Sequence, residues 1–523
     1  MRTIAQAFRV PPSGVVGLLR TWVCLLGVLW AISPQPRLEA APPSPPPSAA
    51  APSSDHYEKL TYALPSDTKF EVSGIASLPD GRAAVTLRKG EIWILENPLA
   101  EPSQAKFSRY ATGLHEPLGL TWHDGALYTT QRSEVTRIED RDGDGVADTY
   151  LTAAKGWGIS GNYHEYAYGP LFDAQGNLWV TLNVTIGNAA KLAGNRSGPP
   201  LWRGWAMRQA PGGELLPAAA GFRSPFGLGL NAEGDVFATD QQGNWWGTCP
   251  LIHVRPGRFY GHADSIPDTR RPESPVKDPG VLPQGLTVVE ASKIIPGFAL
   301  PAVWFPYVKM GQSTTGIVCD LTQGGFGPFG RQLFVGDFTL AQVNRVFLEK
   351  VKGEYQGACF PFMDRLQSAA LQMAFLSDGS MMVGESNRGW NSLGSRSYGL
   401  ERIRWTKRIP FEIEKMEALP DGFRLTFTEP VDLPGAANAS TFALSSYTYR
   451  YQVAYGSPET DTKPITISRV EVASDGRTVT LQCVGLRAGY VHELKVSPLT
   501  SRSGQSLRYD RAYYTLNQLP DAP

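Results

Sequence analysis

Short apolar runs broken by tight polar turns recur along this chain from about residue 57 to residue 405. Each unit is an apolar strand, an Asp-Gly or Gly turn, then a second strand ending in Thr or Gly plus a polar residue. Instances are Gly74–Thr86 around Asp80-Gly81, Gly119–Thr130 around Asp124-Gly125, Gly169–Thr181 around Gly176, and Gly227–Asp240 around Gly234. Two more centre on Gln332–Asp337 and on Leu371–Glu385 around Asp378-Gly379. Turns of the Asp-Gly type between alternating runs are a strong short-range signal for a β-hairpin. The spacing predicts six such hairpins.

Two stretches are near copies. Gly113–Leu120 and Gly221–Leu228 share G-[LF]-x-x-P-[LF]-G-L at an offset of 108 residues, which is two units of roughly 54. A period of about that length carrying strand patterns points to an all-β fold, a six-bladed β-propeller whose loops surround one axial pocket. Tyr57–Leu64 is the expected outer strand that closes the ring with the last blade. A polar, Pro-rich insertion, His262–Pro283, and a strand-like Thr315–Leu321 fill the widest gap between units.

After Arg404-Trp405 the pattern changes. Phe423–Thr428, Ile465–Val472, Thr478–Val484 and His492–Val496 alternate or run apolar, with turns at Asp421-Gly422 and Asp475-Gly476. Short strands at that spacing suggest a small β-sandwich of immunoglobulin type. The expected division is a propeller over 57–407 and a sandwich over 408–523, with the boundary near Lys407–Pro410.

The first residues read as an address. Arg2, Arg9 and Arg20 precede an apolar run of about 11 residues, Trp22–Ile32, the length of a signal h-region and too short to cross a bilayer. Ala40 and Ala41 offer a cleavage point, so 1–41 is expected to be a signal peptide and the protein secreted or periplasmic in a bacterium. The alternative is an uncleaved anchor. Residues 42–56 form a Pro/Ser/Ala-rich linker, which is stiff and extended. Beyond Cys24, four thiols at Cys249, Cys319, Cys359 and Cys483 allow three pairings among which the sequence does not choose.

Charge and motifs exclude several classes. Lys+Arg and Asp+Glu are both 49, so no electrostatic case exists for nucleic acid or an anionic membrane. No H-x-x-x-H, G-x-S-x-G or Walker A pattern occurs, which leaves hydrolytic and nucleotide-dependent chemistry without support. No C-x-x-C-H occurs either, so no covalent haem is expected on this chain. Asp140, Asp142, Asp144 and Asp148 form D-R-D-G-D-G-V-A-D, the start of a calcium loop. Position 12 is Leu151 rather than a closing Glu, so the loop is an incomplete calcium site or a solvated acidic turn. Asp240, Asp337 and Glu385 each follow an inner-strand end, where acids commonly cap the next turn.

With these residues in view the chain resembles a known family. Gly221–Leu228, then Asn231–Phe237 and Pro256-Gly257-Arg258-Phe259-Tyr260-Gly261, is similar to the glucose/sorbosone dehydrogenase propellers. His164 ahead of Gly169-Pro170 resembles their catalytic histidine motif. The resemblance implies a six-bladed propeller using pyrroloquinoline quinone (PQQ), with His164 as general base on a sugar hydroxyl and Arg223 binding the quinone. His115, in the repeat loop equivalent to that of Arg223, is expected at the same axial mouth as a further cofactor contact. The family's cofactor Lys and paired Arg positions are Thr339, Ala369 and Leu371 here, Ser224 replaces an Asn, and the G-R-L after the histidine is missing. A quinone with three carboxylates would lose much of its counter-charge.

A closer resemblance, over nearly all of 57–523, is to large secreted bacterial proteins labelled membrane-bound-dehydrogenase-like. It rests on Trp157–Tyr166, Gly243–Thr248, Asn387–Trp390 and Ser445–Tyr449. The leading expectation is oxidation of a sugar or polyol, with electrons passing to a separate acceptor such as a cytochrome c. The rivals are a non-catalytic propeller binding carbohydrate or a protein partner at the axial pocket, and an assembly module docked through its sandwich.

Overall fold

The computed structural model describes residues 55–186 and 200–522. The expected signal peptide and nearly all of the linker lie outside the described residues.

Five separate four-stranded sheets are present among the described residues. The first consists of Val72–Ser77, Ala83–Leu87, Glu91–Leu95 and Phe107–Ala111. The next three run from Thr121–His123 to Thr149–Lys155, from Ala167–Phe172 to Leu215–Ala220, and from Leu228–Leu230 to Val303–Phe305. In the fifth, Ala370–Phe375, Met381–Ser386 and Tyr398–Trp405 are joined by Tyr57–Thr61, paired antiparallel from Tyr57↔Trp405 to Thr61↔Glu401. The expected closing strand thus seals the last hairpin with the other end of the chain.

The first strands of the sheets touch in cyclic order. Val72–Ser77 lies beside Thr121–His123, then follow Ala167–Phe172, Leu228–Leu230, Thr314–Cys319 and Ala370–Phe375, which returns to Val72–Ser77. This closed ring is an all-β propeller.

The repeated glycines explain how the ring closes. A Cβ on Gly119 would lie 2.2 Å from the carbonyl oxygen of Gly169, and one on Gly227 would lie 2.1 Å from that of Thr315. Gly119 and Gly227 are equivalent positions of the two near copies, so the motif marks where one inner strand meets the next. Hydroxyls join the same strands. Ser73 Oγ donates to Pro117 O, Thr181 Oγ1 to Pro225 O, and Thr239 Oγ1 to Thr315 O, at 2.7–2.8 Å. Thr181 and Thr239, near the ends of their second strands, are therefore links between neighbouring sheets, whereas the equivalent hydroxyls of Thr86 and Thr130 make no such bond.

Turn acids behave as caps. Asp80 accepts Arg82 N at 3.0 Å, and Asp378 accepts Ser380 N at 2.9 Å. Asp337 takes the N–H groups of Gln312, Ser313 and Leu340, and Glu385 that of Ser368.

The strands after residue 408 are hydrogen-bonded into the sheet of one propeller unit. Thr314–Cys319, Leu333–Asp337, Gln342–Val351 and Glu354–Met363 open an eleven-stranded sheet that continues through Arg511–Leu516 into the C-terminal strands. The contact runs from Gly357↔Thr515 to Cys359↔Tyr513. The physical reason is length. This hairpin has ten-residue strands where the other units have mostly four to six, and its outer edge would be an open pairing surface if it were not covered. Ile413–Leu419, Phe442–Thr448 and Arg511–Leu516 are strands that the hydrophobic pattern did not mark. Fully buried Arg345 ties the two regions, donating to the carbonyls of Ile413 and Glu414 and to Gln332 Oε1 at 2.7–2.9 Å. The four described cysteines are free thiols.

Candidate functional site

An axial cavity of about 130 Å³ opens where the loops before the inner strands converge. His164 and Arg223 both line it, with Arg388, Trp390 and Tyr455. The two sequence candidates therefore share one site. His115 does not. It is exposed and is not among the lining residues, because the loop that carries it turns Glu116 inward instead.

His164 stands on a tightly pinned turn. Its N–H donates to Asn162 Oδ1, and its carbonyl accepts Asn183 Nδ2, both at 2.8 Å. Neighbouring Glu165 is fully buried and accepts Ser160 N, Ser160 Oγ and Thr185 Oγ1 at 2.5–2.7 Å. Arg203 holds the loop from beneath through Gly158 O and Tyr166 O, each at 2.8 Å. The block Trp157–Tyr166 thus encodes a fixed mount for one imidazole. Burial lowers the His164 pKa, and the cations of Arg223, Arg388 and Arg132 lower it further, so the ring is neutral near pH 7. Among the described residues its ring nitrogens have no hydrogen-bond partner.

Arg223 is only 7% exposed, yet it makes no ion pair with a described residue. Its guanidinium lies 5.3 Å from the Tyr455 ring centroid, and Nη1 reaches Ser224 Oγ at a long 3.4 Å. Behind it, Asp240 is fully buried and accepts the backbone N–H groups of Arg223, Ser224 and Gln241 at 2.6–2.7 Å. Burial pushes its carboxyl up to about 6 despite those bonds. Asp240 therefore shapes the Arg223 turn, which precedes it in the chain, besides capping the turn that follows it through Gln241 N. A Cβ on Gly243 would meet Arg223 Nε at 2.1 Å, which explains the glycine that opens the Gly243–Thr248 block.

Two features escaped the sequence. Glu116 pairs with Arg132 at 2.6 Å, Arg388 at 3.2 Å and Arg88 at 3.3 Å. The guanidiniums of Arg388 and Arg132 lie 4.4 Å and 4.7 Å from the Tyr166 ring centroid. Glu116 directly follows the candidate His115, and Arg388 lies in a block already noted, so both were adjacent to a signal. Tyr455 had no signal at all. It reaches the pocket because the C-terminal segment is strapped to the loop at residues 243–248. Trp245 N donates to Gln452 O at 2.9 Å, Asn244 Nδ2 to Val453 O at 2.7 Å, and Gly456 N to Gly243 O at 3.0 Å.

The acidic loop lies away from this pocket, in the turn before Thr149–Lys155. Carboxylate oxygens of Asp140, Asp142 and Asp148 come within 4.8 Å of one another, whereas Asp144 falls outside that group. Asp144 Oδ1 accepts Val146 N at 2.8 Å.

A family model described as a domain of unknown function (DUF7133) matches residues 73–274. No curated protein matches the sequence. Among solved structures, the chain is similar to the PQQ-bound form of an aldose sugar dehydrogenase from Streptomyces coelicolor, at 15% identity and a TM-score of 0.45, covering 68% of this chain and 99% of that one. It is also similar to the apo form of the soluble aldose sugar dehydrogenase from Escherichia coli, at 15% identity and a TM-score of 0.42, covering 66% of this chain and 99% of that one. A structure described as an oxidoreductase (glucose dehydrogenase) from Thermus thermophilus has 18% identity and a TM-score of 0.46, over 66% of this chain and 99% of that one. The propeller itself rests on the ring of inner strands described above.

Proposed function

We propose that the axial pocket binds a sugar or polyol, on a propeller that counts six blades when Thr314–Met363 is taken as one of them. The strands after residue 408 are read as an immunoglobulin-like sandwich grafted onto that blade. One observation carries the binding reading: the pocket wall presents unpaired polar groups of both kinds. Asn183 Oδ1 is buried with no partner among the described residues, and the neutral His164 ring offers a donor and an acceptor. A ligand hydroxyl would relieve a buried acceptor whose isolation costs about 1–3 kcal/mol. Trp390 and Tyr455, 47% and 66% exposed, stand at the rim as faces for a sugar ring.

Oxidation of the bound hydroxyl is the second reading, favoured by His164. Its neutral imidazole can take the hydroxyl proton, while the carbon-bound hydrogen would leave as hydride to a two-electron acceptor admitted from solution, the part a dye plays in the assay. PQQ, the cofactor of the resembled family, does not fit these residues. Ala369 and Leu371, which replace that family's paired Arg, are buried in an apolar cluster with Leu118, Tyr168, Phe226 and Phe338 beneath the pocket. The cavity is also well below the roughly 300–1,000 Å³ of drug-sized ligand sites. Calcium is assigned to Asp140, Asp142 and Asp148, and export to the segment 1–41, in line with the secreted subgroup that the chain resembles. Among the described residues no helix is long and apolar enough to cross a membrane.

Calorimetric titration with D-glucose, D-glucitol and a panel of aldoses tests the binding reading, and the absence of heat for every one of them at millimolar concentration would sink it. Dye-linked oxidation with and without PQQ and calcium tests the second reading. His164→Gln should then lower turnover by about 10²–10⁴ with little change in affinity.

A further inference from the structure

We infer that the axial pocket selects a carboxylate-bearing ligand, a sugar acid whose carboxylate is held by Arg223 beneath Tyr455. The inference rests on the sugar-binding reading and adds the charge of the ligand to it.

The charge balance of the pocket is one-sided. Two guanidiniums, Arg223 and Arg388, line it, and no Asp or Glu does among the described residues. Arg388 is spoken for by Glu116. Arg223 is not. Asp240 behind it is engaged by three backbone N–H groups. Asp264 faces Arg223 across an adjoining cleft without forming an ion pair. A guanidinium that is more than nine-tenths buried and unpaired carries a desolvation cost that an incoming anion would offset, through charge-assisted hydrogen bonds of the strong kind.

Size and shape narrow the anion. A cavity of about 130 Å³ is close to the roughly 150 Å³ that encloses a benzene ring, so it admits one end of a hexose derivative and leaves the rest at the mouth. The enclosed end meets Arg223, His164 and Asn183 Oδ1. These suit a carboxylate with a neighbouring hydroxyl, the hydroxyl donating to Asn183 Oδ1 and the carboxylate accepting from Arg223. The part at the mouth lies between exposed Trp390 and Tyr455. Tyr455 also sets its ring 5.3 Å from the Arg223 guanidinium, within cation–π range, and it is delivered by the C-terminal strap rather than by a propeller loop. The C-terminal strands thus complete the acid-binding site.

The test is calorimetric titration of the whole protein with D-glucuronate and D-gluconate against D-glucose and D-glucitol at low ionic strength. The acids should bind at least ten-fold more tightly than their neutral counterparts. Arg223→Met should remove that preference, and Tyr455→Ala, at an exposed position that folding tolerates, should weaken acid binding several-fold. If neutral sugars bind as tightly as the acids to the unaltered protein, the inference fails while the sugar-binding reading stands. If neither class binds, both fail. Tight PQQ binding that displaces glucuronate would also overturn it, by showing that Arg223 serves a quinone.

Discussion

Gly119 and Gly227 of the near-copied motif, set beside Gly125 of the Asp124-Gly125 turn, lend themselves to a three-variant comparison, because each separates a different physical cause. Gly125 has φ +75° with nothing within 4 Å of where a Cβ would stand, so Gly125→Ala carries backbone strain alone. That strain costs about 1–2 kcal/mol, offset by roughly 0.4–1 kcal/mol from the stiffer unfolded chain. Gly227 has no positive φ, but its Cβ would lie 2.1 Å from Thr315 O and 2.4 Å from Thr239 Oγ1. Gly227→Ala must push two inner strands apart, at about 1–3 kcal/mol for overpacking. It must also disturb the Gly227 N to Thr239 Oγ1 and Thr239 Oγ1 to Thr315 O bonds, each worth about 1 kcal/mol. The total is roughly 3–5 kcal/mol. Gly119 combines φ +109° with a carbonyl oxygen at 2.2 Å, so Gly119→Ala should be at least as damaging. Thermal melts at one scan rate should therefore rank Gly125→Ala far above Gly227→Ala and Gly119→Ala. Equal melting temperatures for Gly125→Ala and Gly227→Ala would refute the reasoning, since strand approach at the axis would then contribute nothing.

His262 gives a pH prediction. It is fully buried, its pKa is lowered to about 3 chiefly by desolvation, and its Nδ1 accepts Asp264 N at 3.3 Å. The unfolded chain takes up that proton near pH 6.5 and the folded one does not, so stability from this residue is complete above 6.5 and is lost as pH falls toward 3. The slope is up to about 1.4 kcal/mol per pH unit, and denaturant titrations should show it flattened in His262→Asn. For the acidic loop, 10 mM calcium should raise the melting temperature and Asp142→Ala should abolish the rise. A site of millimolar affinity would gain about 1.4 kcal/mol there, and identical melts with and without chelator would leave a plain acidic turn.

The sequence by itself determined whatever depends on near neighbours. Hairpin units followed from alternation and Asp-Gly turns because a turn's conformation is set by two or three residues. The capping role of Asp240 and Asp337 was legible only in part, since each takes one N–H of the turn that follows it, Gln241 and Leu340, but two from a loop some 16–25 residues earlier. That His164 and Arg223 line one pocket was legible from the repeat and the resembled motif, although the same repeat also placed His115 there, where it is not found. Only the tertiary structure decided the rest. His115 and Glu116 are adjacent, and one backbone turn chose which enters the arginine cluster, a choice settled by the charges of Arg88, Arg132 and Arg388 from three other loops. The pairing of Arg511–Leu516 with the outer edge of Glu354–Met363 joined two regions that the strand pattern separates. Tyr455 reached Arg223 through a strap of backbone bonds between segments far apart in the chain. Edge pairing and charge neutralisation are summed over distant residues, so no local pattern records them.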